Sequence, residues 1–335
     1  MTKPFSTLID VARAAGKSVA QTSRALRGDP GVRPETREHI AKVAAQLGYR
    51  PNLAARSLVS SQSSIVGILI GDPNNPFHIE LAQCIDRALL AAGFEPMTTL
   101  SLSEPGSATN EVERLLRLRA AGVILLANSL TAKAIDDIAQ SLPCVYLGSL
   151  RVSHPQVTAI TVDDKSGVRQ AMEHLFALGH TRIAHLGGGA EASARERTKA
   201  YCEVMKEAGL EPNYLRGTHD AASGRRGVDM LFASEQPPTA ILASNDLLAL
   251  GILDRLRGMG LAVPEDVSVV GFDDIPHAGN SVFSLTTLRQ DTQAQAQVAV
   301  QALQEIIDDT AKRTRRHVLP VELVTRQSSG PPKPA

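Results

Sequence analysis

Few residue patterns in this chain could make or break a bond. Gly187-Gly188-Gly189 is the run closest to a phosphate cradle, but no Lys-Ser or Lys-Thr follows it, so the lysine and hydroxyl of a P-loop are missing. There is no GxSxG elbow, no HExxH pair and no persuasive nucleophile–base spacing. Cys84, Cys144 and Cys202 sit far apart in apolar segments, without CxxC or metal spacing, and read as buried reduced thiols. No catalytic residue, metal or cofactor is expected. The remaining chemistry is that of binding. Asp273 directly follows an apolar run, Val267–Phe272, where its carboxylate could accept from two adjacent hydroxyls; Asp274 and a helix-capping role are the rivals. Asn245 holds the equivalent place after Thr239–Ala243 and offers both a donor and an acceptor. Phe77 could give an aromatic face to a sugar or base ring, or pack in a core.

These residues need strands that end at one edge. Ile65–Ile70, Gly122–Leu126 and Pro143–Leu147 read as buried strands, followed by Arg182–Gly187, Thr239–Ala243 and Val267–Phe272. Between them the 3.6-residue period predicts helices over Ile79–Ala92, Asn110–Ala120, Ser166–Leu178, Glu196–Ala208, Gly224–Phe232, Asp246–Met259 and Thr292–Asp308. Asp72 to Phe77 reads as a loop. Strands separated by helices imply two doubly wound parallel α/β sheets, with a cleft between them. Ligands in such sheets bind beyond the carboxyl ends of the strands.

The first fifty-odd residues differ in kind. Leu8, Val11, Ala12 and Ala15 fall on one helical face, and Gly16 ends that helix. Ser18 and Gln21 form a capping-box pattern that starts a second helix after a tight turn. The two read as a helix-turn-helix that offers Ser18, Ala20, Gln21 and Arg24 to a major groove. A third helix starts at Pro34, with Ile40, Val43, Ala44 and Leu47 as its buried stripe. Asn52 can cap a short fourth helix over Leu53–Leu58, too short to be stable alone. Residues 1–60 carry ten basic and four acidic side chains, a net charge of +6, and the rest of the neutral chain therefore carries −6. A basic head on an acidic body points to a nucleic-acid reader joined to something else.

The run LIDVARAAG…SRALRG…VRPETREHIAKVAAQLGYRPNLAARSL resembles the head of the LacI/GalR family of bacterial transcription regulators. In the body, Asn75-Pro76-Phe77, Leu178-Gly179-His180-Thr181-Arg182-Ile183, Ser244-Asn245-Asp246, Gly271-Phe272-Asp273-Asp274 and Thr286-Thr287-Leu288-Arg289-Gln290 extend the likeness. It implies a small all-α head (1–50), a hinge helix and linker (51–64), and an effector-binding and dimerisation body (65–330) like periplasmic sugar-binding proteins. Subdomain one would span about 65–160 and 291–319, and subdomain two about 161–290 and 320–329, with crossings near Thr161, Asp291 and Pro320. The implied DNA-binding set adds Leu8, Val19 and Ser23 to the second-helix residues; Arg27 and Arg33, which depart from the family's usual asparagine and serine, could reach phosphates. It also includes the hinge residues Asn52, Ala55 and Leu58, the last as an apolar wedge in the minor groove; an ordinary linker is the other reading. Arg197 matches the family's effector-binding arginine, with Arg195 as its rival, and Asp72 and Gln290 complete the set with Phe77, Asn245 and Asp273. His180 reads as structural.

Several positions depart from the pattern. Lys17 stands where a valine is usual, Gln21-Thr22 replaces Thr-Val, Arg33 occupies the serine position before the third helix, and Ala200 replaces a glycine before Tyr201. The tail after Arg326 has no apolar heptads, which leaves a dimer without a tetramerising coiled coil. The expected function is a ligand-responsive regulator, a repressor of a carbohydrate or sugar-acid operon. It would leave a palindromic double-stranded operator when a sugar or sugar derivative fills the cleft. The alternatives are a purine-type, corepressor-dependent regulator and a solute receptor that does not bind DNA. With no signal peptide or membrane-spanning apolar run, the homodimer is expected in the cytoplasm, on the nucleoid when bound to DNA.

Overall fold

The computed structural model describes residues 6–50, 63–100, 107–126, 130–152, 154–309 and 316–334. They fall in two compact units, Met1–Ser63 and Ser64–Ala335. Asn52, Ala55 and Leu58, with the expected fourth helix, lie outside the described residues.

The first unit consists of α1 (Leu8–Ala14), α2 (Val19–Leu26) and α3 (Pro34–Gln46). Thr7 and Asp10 form a full capping box on α1, and Ser18 Oγ accepts from the Gln21 amide to cap α2. Arg33 precedes α3 without any side-chain cap, as its replacement of serine implies. Gly16, Gly28 and Gly48 close the three helices at φ of +63°, +75° and +61°, backbone that glycine adopts without steric cost. Val11, Ala15, Ala25, Val32, Ile40 and Ala44 make the core. The expected stripes are narrower than the periodicity suggests: Leu8 and Val43 are half-buried and Leu47 is exposed.

The second unit is built on two six-stranded sheets. The first contains β1 (Ile65–Ile70), β2 (Glu95–Leu100), β3 (Gly122–Leu126), β4 (Cys144–Leu147), β5 (Val157–Val162) and β11 (Arg316–Leu319), in the order β11-β5-β4-β3-β1-β2. The second contains β6 (Ile183–Leu186), β7 (Asn213–Leu215), β8 (Ala240–Ala243), β9 (Ser268–Asp273), β10 (Thr286–Gln290) and β12 (Val321–Val324), in the order β12-β10-β9-β8-β6-β7. All pairings are parallel except β10 with β12. β12 follows β11, of the other sheet, after Pro320 alone. The helices are α4 (Pro76–Ala91), α5 (Ser107–Arg117), α6 (Ala132–Ala139), α7 (Asp164–Ala177), α8 (Ala192–Glu207), α9 (Ala221–Phe232), α10 (Asp246–Gly258) and α11 (Thr292–Ile307).

Two boundaries matter for the site. Asn75 Oδ1 accepts from the Phe77 amide and Pro76 fills the first helical position, so α4 starts inside the stretch expected to be a loop. Phe77 is thus a helical residue. The chain also leaves the first sheet after β5 into α7, returns from β10 through Asp291 into α11, and leaves again through Pro320.

One local defect in the head is testable. Thr22 is fully buried, and its Oγ1 has no hydrogen-bond partner among the described residues. A buried hydroxyl left unpaired costs about 1–3 kcal/mol. Thr22→Val keeps the shape and removes the hydroxyl, so it is expected to stabilise the first unit by about 1–2 kcal/mol. Amide exchange in α2, measured on the full chain, should slow; unchanged or faster exchange would contradict the defect.

Candidate functional site

The second unit holds a cavity of about 540 Å³ at the carboxyl ends of its strands. All six residues expected for effector binding line it: Asp72, Phe77, Arg197, Asn245, Asp273 and Gln290. The rivals do not. Exposed Arg195 donates to the Ala190 carbonyl, and Asp274 is held between Arg289 and Arg326, each at 2.7 Å.

At the floor of the cavity is Arg197, on the first part of α8 and only 5% exposed. Its Nε donates to Asp164 Oδ1 at 2.8 Å and its Nη1 to the Ser244 carbonyl at 2.6 Å. Nη1 also lies 3.7 Å from Asp273 Oδ1, and the guanidinium sits 3.5 Å above the centre of the Phe272 ring. A buried guanidinium persists only with partners of this kind. Asp273 ends β9 at φ +124°, a strained backbone for an L residue, and Gln290 Nε2 donates to its Oδ1 at 2.7 Å. Burial pushes the Asp273 carboxyl up to about 6, against the pull of Arg197 and of the Gln290 amide. Behind it, Asp246 accepts from Thr287 Oγ1 at 2.6 Å and from the Ile275 amide at 2.9 Å; burial and then the Asp273 charge raise its carboxyl well above the usual range.

The wall from the first sheet is supplied by α4 and the loops after β1 and β4. Phe77 belongs both to the apolar core and to the cavity wall. His78 Nδ1 donates to the Asp72 carbonyl at 3.0 Å, which leaves Nε2 as an acceptor. Burial lowers the basicity of this ring. Ser149, after β4, donates to Asp164 Oδ2 at 2.9 Å, so Asp164 links that loop to Arg197. From the second sheet, His219 Nε2 pairs with Ser244 Oγ at 3.1 Å. His219 Nδ1 lies 4.0 Å from Glu191, but burial and then Arg197 pull the ring down to about 4, so this contact is not an ion pair at neutral pH. Asn245 Oδ1 caps α10 through the Leu248 amide at 2.9 Å.

His78, Ser149, Asp164, His219 and Gln295 were not anticipated. Asp164 had a signal, the Asp163-Asp164 pair at a crossing; His219 lies on a loop whose place no periodicity reveals. His180 is structural: its ring bonds to Thr239, Ser268 and the Gly330 carbonyl. Among the described residues there is no group of His, Cys, Asp and Glu that could hold a metal, and no helix long and apolar enough to cross a membrane.

In the first unit, Ser18, Val19, Ala20, Gln21, Arg24, Arg27 and Arg33 are exposed, and Leu8 and Ser23 are half-buried. The second helix therefore presents the expected surface. Arg24 is not free: its Nε donates to Asp29 Oδ2 at 2.8 Å, and the Gly31 amide donates to Asp29 Oδ1 at 2.8 Å. Arg27 donates to Ser23 Oγ at 2.7 Å.

Below about pH 6 the fold holds a proton on Asp273 that the unfolded chain releases until about 4. This group therefore favours the fold as pH falls through 6. His185 and His219, each held near 4 by burial, act oppositely: the unfolded imidazoles charge below 6.5 and stability is lost toward pH 4. Asp273→Asn removes the first effect and keeps the second. Its loss of stability between about pH 6 and 4 should be steeper than the parent's by up to ~1.4 kcal/mol per pH unit. Denaturant titrations across that range decide, and parallel curves would refute it.

Comparison with known proteins agrees with both units. The family model for bacterial regulatory proteins of the lacI family matches residues 7–52, and a periplasmic binding protein-like domain matches residues 172–329. The transcriptional regulator GalS of Salmonella typhimurium is 31% identical over 329 residues, covering 96% of each chain. MalR of Streptomyces coelicolor is 33% identical over 344 residues, also covering 96% of each. A crystal structure of the lac repressor dimer bound to operator and the anti-inducer ONPF superposes with a TM-score of 0.86 at 29% identity, over 97% of this chain and 99% of that one. The chain belongs to the LacI family of bacterial regulatory proteins, as a ligand-responsive, DNA-binding transcription regulator and not an enzyme.

Proposed function

We propose that this regulator is a repressor of a carbohydrate-utilisation operon that releases its operator when a sugar or sugar derivative enters the cleft. The observation that carries this reading is the buried Arg197–Asp164–Asp273 cluster at the strand ends, which offers hydroxyl-binding groups from both sheets. Residues 1–50 form the DNA-reading head and 51–64 the hinge. The body, 65–330, binds the effector and dimerises, with subdomains of about 65–160 with 291–319 and 161–290 with 320–329. It acts as a homodimer on a palindromic site, in the cytoplasm and on the nucleoid. Lac repressor is a dimer in the structure bound to operator and ONPF, and another solved relative is a CelR–cellobiose complex; both likenesses favour this reading.

In the head, Arg24 reads a base edge with Ala20 and Gln21 setting preference, while Arg27 and Arg33 meet phosphates. Ser18, Val19, Ser23 and Leu8 complete the surface, and Asn52, Ala55 and Leu58 act from the hinge. Arg24→Ala should weaken specific binding to a selected operator roughly 5- to 150-fold at fixed salt. Unchanged affinity of the variant for the selected operator at fixed salt would remove Arg24 from the reading set.

Asp72, Phe77, Arg197, Asn245, Asp273 and Gln290 contact the effector. Asp273→Asn and Arg197→Lys are expected to keep operator binding and lose release by the inducing sugar, in a gel-shift titration. Inducer release like the parent's in both variants would move the site elsewhere. A second reading, tightening on the operator by a purine, is favoured by the 28% identity to PurR of Haemophilus influenzae. The same titration separates the two by its direction.

A further inference from the structure

Two buried side-chain amides on the cavity lining carry NH2 groups without hydrogen-bond partners. Asn245 is 1% exposed and Gln295 is 4% exposed, and both line the cavity. Neither Asn245 Nδ2 nor Gln295 Nε2 has a hydrogen-bond partner among the described residues. They come from opposite sides. Asn245 follows β8 of the second sheet, whereas Gln295 lies on α11, which packs on α4 and on β3, β4 and β5. An amide buried and unpaired is destabilising, and folded proteins rarely keep one without a use for it.

The charges around these donors restrict what they can meet. Among the described lining residues Arg197 is the only Lys or Arg. It already donates to Asp164 and the Ser244 carbonyl and faces Asp273. The wall adds the carboxylates of Asp72 and Glu191. His78 and His219 are held neutral by burial. The charge of Arg197 is already offset by Asp164 and Asp273, so a carboxylate or phosphate would enter a net acidic space. The lining thus carries acceptors, His78 Nε2 and the Asp273 carboxylate, as well as donors. Hydroxyls, which both donate and accept, fit such a lining.

We propose that Gln295 is an effector-contacting, specificity-determining residue. With Asn245 on the opposite lobe it donates to oxygens of an uncharged polyhydroxy ligand, and the cleft rejects carboxylated and phosphorylated sugars. This rests on reading the cleft as the effector site. It narrows the class from sugars and their acids to neutral sugars, and it requires the ligand to touch both lobes.

The test is made on the full chain. Thermal shift and calorimetric titration would use D-glucose, D-galactose, D-ribose, maltose and cellobiose. D-glucuronate, D-galacturonate, glucose 6-phosphate and hypoxanthine complete the probes. The expected result is binding of a neutral sugar with no binding of the acids or the phosphate. Gln295→Met should weaken that binding at least tenfold. It should also raise the melting temperature of the free protein by about 1–3 °C, because the unpaired amide is gone; Gln295→Leu repeats the comparison if the methionine variant misfolds. Tighter binding of an acid, the phosphate or hypoxanthine would overturn the class while leaving the effector site in place. Parent-like affinity in the variants, or a lowered melting temperature without ligand, would overturn the role of Gln295. Silence across all the probes counts against the effector reading of the cleft, and the melting comparison still decides whether Gln295 is held ready for a partner.

Discussion

A guanidinium with 5% exposure is the constraint around which the second unit is arranged. The charge of Arg197 is tolerable only because Asp164, the Ser244 carbonyl, Asp273 and the Phe272 ring surround it. These four partners come from three places in the fold: the start of α7, the residue after β8 and the end of β9. The same carboxylate of Asp164 takes a bond from Ser149 after β4, in the other sheet. Removing one partner from a buried pair typically costs about 3–5 kcal/mol, so these segments stand or fall together. Asp273 is also left in a strained backbone and with a raised pKa. Such strain at strand ends is common where binding groups are held ready.

Much of this was legible in the sequence. Asp273 and Asn245 follow apolar runs directly, so their place at strand ends could be read from chain order alone. Arg197 could not; it was carried by likeness to a family, and only the fold shows why it is buried. The strand pattern failed where burial is achieved by threonine. β5 and β10 are almost wholly buried, yet Thr158, Thr161, Thr286 and Thr287 break the apolar run. β2, β7, β11 and β12 are short edge or near-edge strands with half-exposed residues, and alternation is too brief there to register. Gln295 shows the limit of composition: its meaning lies in having no partner, which only the packed surroundings reveal.

The head shows another difference between propensity and packing. The Thr7 capping box of α1 went unread. Its other two helix starts were readable because the signals are local: Ser18 and Pro34 act within three residues. Its side-chain contacts were not. Arg24 lies against Asp29, five residues on in a glycine-bounded loop, so the side chain most suited to a base is oriented by the turn after its helix. Leu47, placed by period on the buried face, is exposed just past the end of α3.

The passages between the two sheets have a mechanical consequence. Val162 pairs with Leu319, and Gln290 pairs with Val321. Asp163, Pro320 and Asp291 follow or join these residues, so the three connecting strands lie side by side, separated by strand spacings of about 5 Å. Connections spread around an interface would lock two bodies like the legs of a tripod. Connections in one row act as the pins of a door hinge, leaving a single easy rotation and resisting twist and shear. The lobes are therefore free to swing chiefly about that row, and the groups farthest from it, across the mouth of the cleft, travel the longest arc.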